Sequence, residues 1–272
     1  MKTERFIPLM GFPAYKEVSH LPLAERVAAL RDPARKARLL REKTDSVAGD
    51  GTPIPKLVDT LLAALDFIAM RFFRLGDPPN YEQGYDDSLA AQALRLHKPV
   101  LDVLYDALLE DEGRALLYFP IFNYSEMNLN TLGRLMRHPL ALPGLSDGGA
   151  HVGTICDASF PTWLLQWWGR DRARDRLPIE RLVQWQCRDT SRFLGLQDRG
   201  ELRAGQRADS NLIDLPALDL RPPHLVVDLP AGGQRLLQEA TGYVSTWVAG
   251  ECVVEGGKLT GARPGRVVRG RG

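Results

Sequence analysis

The 272-residue chain has little of what marks an unusual scaffold. Its three cysteines, Cys156, Cys187 and Cys252, lie far apart without CxxC spacing, which excludes a disulfide framework and a zinc ribbon and makes a reducing compartment the default. No sign of charge dominates. Basic and acidic side chains number 35 and 34, so nothing draws the whole molecule to phosphate or anionic lipid, and neither nucleic acid nor a membrane is expected as a partner. Long apolar runs are missing too: Leu57 to Leu75 contains Asp59, Asp66, Arg71 and Arg74, all costly inside a bilayer. Met1 to Phe12 has no apolar stretch suited to a secretory signal. The expectation is a cytoplasmic protein, with its oligomeric state left open. What is present is an ordinary globular composition, 44% apolar and 25% charged, in a chain long enough to bury a sizeable core.

Helical periodicity dominates from Leu21 to about Phe193. Leu23, Val27 and Leu30 share one face, and Asp32-Pro33 ends that helix and starts the next. Leu57, Leu61, Leu65 and Ile68 continue the theme, and Phe72 to Leu75 suits helix or strand equally. Val100, Val103, Leu104, Ala107 and Leu108 build another amphipathic helix. After it, Leu116 to Phe122 is compact, aromatic and uncharged, which predicts a buried strand of a parallel sheet. A helix carrying Leu129, Leu132, Leu135 and Met136 follows, then Ala141 to Leu145 as a second short buried strand, giving a βα repeat. Pro161 to Trp168 and Pro178 to Phe193 are two further helices. Trp163, Trp167 and Trp168 recur at helical spacing and are expected in packing; Cys156 and Cys187 are expected as buried apolar side chains.

Composition changes after Gly195. Frequent glycines punctuate short β-type runs, Asn211 to Leu215, Tyr243 to Ala249 and Cys252 to Glu255, the last two joined as a hairpin through Gly250-Glu251. A boundary is therefore expected at residue 195, with an α/β part over 1–195 and a small all-β part over 196–272. The tail with Arg263, Arg266, Arg269 and Arg271 is interleaved with Gly and Pro and lacks aromatics, which suits a solvated terminus.

The sharpest local feature is Leu145-Ser146-Asp147-Gly148-Gly149-Ala150-His151, a carboxylate followed by two glycines after an apolar run. At the C-terminal rim of a (β/α)₈ barrel such a residue is placed for chemistry, and small residues beside it let substrate approach. The plainer alternative is an Asp that caps a helix or closes a turn. Leu142 to Gly153, LPGLSDGGAHVG, resembles the last-strand motif of the amidohydrolase superfamily, in the branch of D-aminoacylases and N-acyl-D-amino-acid deacylases. Leu177-Pro178-Ile179-Glu180 through Leu194-Gly195-Leu196 resembles the family's helix leaving the barrel. Gly200-Glu201-Leu202-Arg203-Ala204-Gly205-Gln206-Arg207-Ala208-Asp209 is similar to its RGxLxxGxxAD signature. The stretch from Val248 to Glu251 and from Gly257 to Gly265 resembles its closing segment.

That resemblance implies a fold class of α/β type, the C-terminal part of a (β/α)₈ barrel with a helical insertion, joined to a small β-sandwich. It implies a hydrolase of carbon-nitrogen amide bonds acting on a small amide, an N-acyl-D-amino acid, with zinc as cofactor. Asp147 would be the catalytic general acid/base and a metal neighbour. A zinc-type ion lowers the pKa of water from ~15.7 to ~7, and a nearby carboxylate moves the proton. Gly148, His151 and Asn123 are the substrate-binding candidates. His151 otherwise reads as a solvated loop histidine, and Asn123-Tyr124 as ordinary turn chemistry.

The family's His-x-His pair and its further metal ligands are absent from this sequence, whose histidines are His20, His97, His138, His151 and His224. One aspartate is a poor zinc site when three protein ligands are usual. A whole barrel commonly needs ~250 residues, so the expectation is a chain starting near the sixth strand of a longer protein, with little activity alone. Thr154 to Phe160 also lacks the arginine expected for an acyl-amino-acid carboxylate. A cyclic-amide hydrolase, a deaminase of the same superfamily and a non-catalytic scaffold fragment are the alternatives.

Overall fold

Residues 7–48, 56–144 and 153–268 are described in a computed structural model. They fall into two compact units. The first holds the described residues up to Leu129 apart from Asp77–Pro79; the second holds Asp77–Pro79 and the residues from Asn130 onward.

The first unit is built on short helices whose ends follow from local sequence. After α1 (Pro13–Lys16), α2 (Leu23–Leu30) buries Val27 and Leu30, as their spacing predicts. At the start of α3 (Pro33–Leu39) the Asp32 carboxylate accepts the Ala34 N–H at 3.1 Å, with Pro33 in the first turn where its missing donor costs nothing. The predicted helix from Leu57 to Ile68 is two helices, α4 (Lys56–Ala63) and α5 (Leu65–Ile68). Further on, α6 (Leu89–Leu96) is capped by Ser88, whose hydroxyl accepts the Ala91 N–H, and α7 (Val100–Leu108) buries Val103, Leu104, Tyr105, Ala107 and Leu108. These side chains join Leu9, Phe12, Tyr15, Leu30, Leu39 and Leu89 in one hydrophobic core. Tyr105 spans it by donating its hydroxyl to the Leu30 carbonyl at 2.5 Å, and burial pushes its pKa up to about 12. The turn α8 (Glu110–Gly113) is left-handed at Asp111 (φ 47°) and Glu112 (φ 52°), and is flanked by Arg74–Glu110 and Arg31–Glu112 ion pairs.

The expected buried parallel strand over Leu116 to Phe122 is not what forms. Only β2 (Leu117–Tyr118) is strand, and it pairs antiparallel with β1 (Phe73–Arg74), which resolves the ambiguity of Phe72 to Leu75. Its partner is an earlier extended segment rather than a neighbour supplied by a βα crossover. Ile121 and Phe122 are exposed, at 49% and 81%.

In the second unit α9 (Asn130–Met136) forms as predicted, although Leu135 points to solvent. The expected strand over Ala141 to Leu145 is absent from its described part, residues 141–144, where Leu142 is exposed. Pro143 supplies no amide to a ladder there. The tryptophan helix is α10 (Phe160–Trp163) continuing into a π-helical stretch, Leu164–Asp171. Trp168 is fully buried with the Arg172 guanidinium 4.5 Å from its ring centre. Next, α11 (Ile179–Gln184) runs through a second π-helical stretch, Trp185–Asp189, into α12 (Thr190–Phe193). Trp185 takes the inward position there, leaving Cys187 exposed against expectation, while Cys156 is half-buried.

From Ser210 on, every regular element except one short 3₁₀ turn is a strand, so the change of composition near Gly195 coincides with the end of the helices. A four-stranded sheet runs in the order β10 (Lys258–Leu259), β9 (Glu251–Glu255), β8 (Tyr243–Val248), β3 (Ser210–Ile213). The predicted hairpin is present, with its turn at Ala249-Gly250 rather than Gly250-Glu251. Val248 pairs with Glu251, and φ is 51° and 83° at the two turn residues, a geometry in which glycine sits without strain. Two small ribbons complete the unit, β4 (Asp219–Leu220) with β7 (Ala240–Thr241) and β5 (His224–Leu229) with β6 (Gly233–Leu237). All strand pairings among the described residues are antiparallel, so the parallel barrel strands expected from the sequence are not among them.

Candidate functional site

Three of the four predicted site residues, Asp147, Gly148 and His151, lie outside the described residues. The fourth, Asn123, is exposed in a left-handed conformation (φ 59°) in the first unit. Its neighbour Tyr124 is buried and donates its hydroxyl to the Gln83 carbonyl at 2.6 Å, with burial raising its pKa, so this side chain holds the loop rather than lining a pocket.

Directly after the Leu142 to Gly153 motif the chain forms one wall of a cleft of about 310 Å³ within the second unit. Ile155, Cys156, Ala158, Ser159 and Thr162 face Leu220, Arg235, Leu237, Gln238 and Ala240. The first wall exists because a 3₁₀ turn, Asp157–Ser159, leads into α10 and places Ser159 and Thr162 three residues apart on one helical face. The second is the ends of β4, β6 and β7. Two hydrogen bonds tie the walls and neighbouring strand together. The Ser159 hydroxyl donates to Gln238 Oε1 at 2.5 Å, and Thr162 Oγ1 lies 2.7 Å from the Tyr243 hydroxyl. Gln238 Nε2 donates to the Arg221 carbonyl at 2.9 Å.

The electrostatics of the cleft are close to neutral. Arg235 donates through Nε and Nη2 to both carboxylate oxygens of Asp228, at 2.8 and 2.6 Å, and that partner holds the Asp228 carboxyl below its usual range. Cys156 is no nucleophile here: burial first, then the Asp157 charge, pushes its thiol up to about 11, so the thiolate is scarce at neutral pH. The arginine at the cleft, Arg235, comes from β6 and is already paired with Asp228. Neither Arg235 nor Gln238 was legible as a site residue, because each lies more than seventy residues beyond the motif and only the fold brings it there.

A metal centre finds no support in the described histidines. His20, His97, His138 and His224 are all exposed, and no three potential metal-binding side chains gather among the described residues. No helix among those residues is long and apolar enough to cross a membrane.

Comparison with known proteins gives one result. No curated protein and no solved structure matches the chain. A family model, Amidohydrolase family, matches residues 88–254. That span is more than half of the sequence and takes in the Asp147 motif and both walls of the cleft. On that extent of agreement the chain belongs to the amidohydrolase family.

Proposed function

We propose that this chain serves the hydrolysis of a carbon-nitrogen amide bond, the amide being that of an N-acyl-D-amino acid, with Asp147 as general acid/base. The observation that carries the reading is the family match running through the Leu142 to Gly153 motif. Water adds to the amide carbonyl as the Asp147 carboxylate takes its proton. The carbon-nitrogen bond then breaks as the same group delivers that proton to the departing nitrogen, leaving a carboxylate and an amine. Gly148, with no side chain, leaves room for the substrate beside that carboxylate, and His151 is its further contact. In the same reading residues 196–272 make a small sandwich.

Zinc is the ion implied by the resemblance, but the described residues do not make a site for it. Exposed, scattered histidines offer no cluster, and Asp147 with His151 falls short of three protein ligands.

The test is amine release from an N-acyl-D-amino acid by the purified 272-residue chain, with and without added zinc, alongside Asp147→Asn. Release is expected to be slow and to fall about 100-fold, or to the uncatalysed rate, in the variant. Equal rates in the two proteins, or cleavage confined to cyclic amides, would overturn the reading.

A further inference from the structure

We propose that the β5–β6 ribbon is a strap that opens as one piece from the body of the second unit. Its latch is the Gln238 side-chain amide, bonded to Ser159 at one end and to the Arg221 carbonyl at the other. Opening widens the cleft along Ile155 to Thr162, the stretch that follows the Leu142 to Gly153 motif in sequence.

β4 to β7 are the two halves of one long hairpin, Asp219 to Leu229 returning as Gly233 to Thr241. The ladder breaks between the halves for two reasons. Pro222 and Pro223 have no amide proton to give. The registers also disagree: from Leu220 to His224 one strand advances four residues, whereas its partner covers three, from Leu237 to Ala240. The inner half is fixed. Leu218 and Leu220 are buried, and the Gln166 side chain on the first π-helical stretch donates to the Asp219 carboxylate at 2.7 Å and accepts the Leu220 N–H at 3.1 Å. The outer half is looser. No residue from His224 to Leu237 is buried, Val227 and Leu229 are exposed, and the cleft separates Arg235 and Leu237 from the helical wall. A two-stranded ribbon with few buried contacts opens at a lower free-energy cost than the structure that carries it.

Gln238 sits at the break, between β6 and β7. Its Nε2 donates to the Arg221 carbonyl at 2.9 Å, across the gap in the ladder, and its Oε1 accepts the Ser159 hydroxyl at 2.5 Å. A carboxamide has a donor end and an acceptor end, so one side chain clasps the opposite strand and the helical wall together. Beside it the Arg221 N–H donates to the Glu239 carbonyl at 2.9 Å, the last backbone bond of the inner half before the prolines. The Thr162–Tyr243 bond is different. Tyr243 belongs to β8 in the four-stranded sheet, so that bond ties the wall to the sheet and stays made when the strap opens. Losing the Ser159 bond therefore biases the strap toward opening by the net worth of one neutral hydrogen bond, about twofold to tenfold in population.

Hydrogen–deuterium exchange of the 272-residue chain, followed amide by amide in NMR spectra, tests this. The amides bonded within the β5–β6 ribbon are expected to exchange together, with protection at least about tenfold below that of β8 and β9. Ser159→Ala should lower the ribbon's protection about twofold to tenfold further and leave β8 and β9 unchanged. Gln238→Glu keeps an acceptor for Ser159 but loses the donor to Arg221, and should lower it at least as much. Ribbon protection equal to that of β8 and β9, no change in Ser159→Ala, or an equal fall in both sets of strands would each overturn the proposal. Should tryptophan fluorescence show that Ser159→Ala does not fold, Gln238→Glu decides by the same readings.

Discussion

Replacing Gly242 by alanine should damage the second unit more than most single methyl additions. Gly242 lies between β7 and β8 with φ 87°, and a Cβ built there would stand 2.5 Å from Leu218 Cα and 2.6 Å from Leu218 N. The obstacle is backbone, so no side chain can swing aside. Leu218 is fully buried, and its segment is held by the Thr241 hydroxyl, which donates to the Ala217 carbonyl at 3.0 Å, and by the Asp214 N–H, which donates to the Gly242 carbonyl at 2.8 Å. A left-handed alanine costs about 1–2 kcal/mol. Overpacking adds about 1–3 kcal/mol, for a total near 2–5 kcal/mol. The assay is unusually clean. All five tryptophans, Trp163, Trp167, Trp168, Trp185 and Trp247, belong to the second unit, so their fluorescence reports that unit alone. Gly242→Ala should lower the fluorescence melting midpoint by roughly 6–15 °C. The helical signal of the first unit should survive to its own midpoint. A change below about 0.5 kcal/mol would refute the steric reasoning.

Three further perturbations probe other parts of the chain. Tyr105→Phe leaves the buried Leu30 carbonyl without its hydroxyl donor and should destabilise the first unit by about 1–2 kcal/mol in urea denaturation; an unchanged midpoint would show that the 2.5 Å bond contributes nothing. Asp111→Gly removes a left-handed non-glycine residue from the Glu110–Gly113 turn and should stabilise by up to about 1 kcal/mol, whereas a loss would mean that its side chain outweighs the strain. Burial alone would raise the Asp189 pKa, but hydrogen bonds from Gln184 and Arg188 and the Arg181 charge outweigh it and hold the group below 3.8. Its stabilising share is therefore complete above 3.8 and is lost as pH falls below that value. Asp189→Asn should flatten the acid limb of the stability profile, and an identical limb would contradict the pairing.

How far the sequence discloses this molecule depends on how local the cause is. The α2 to α3 junction was readable because Leu23, Val27 and Leu30 share a face and Asp32-Pro33 both caps and starts a helix, all between positions 23 and 33. The β8–β9 hairpin was readable to within one residue for the same reason. Leu116 to Phe122 misled because an apolar run does not say which partner it will find, and its actual partner, Phe73–Arg74, lies more than forty residues earlier. The π-helical stretches carry no periodicity that separates them from ordinary helix. At the candidate site, the Asp147 motif was legible only through its likeness to a family. The cleft that follows it in sequence was not legible at all, since Ser159 and Gln238 are 79 residues apart and share no pattern.

The two successive tight turns in the last sheet have a kinetic corollary. At Ala249-Gly250 and again at Gly256-Gly257, left-handed backbone angles reverse the chain, so β8, β9 and β10 each meet their neighbour immediately. Such a ribbon can assemble from contacts close in sequence, ahead of anything that must close a long loop. β3, by contrast, reaches β8 across the whole excursion from Ile213 to Tyr243, and that excursion contains Leu220, Arg235, Leu237, Gln238 and Ala240. The strand-side wall of the cleft is thus expected to take shape only when this late loop docks on a ribbon already in place.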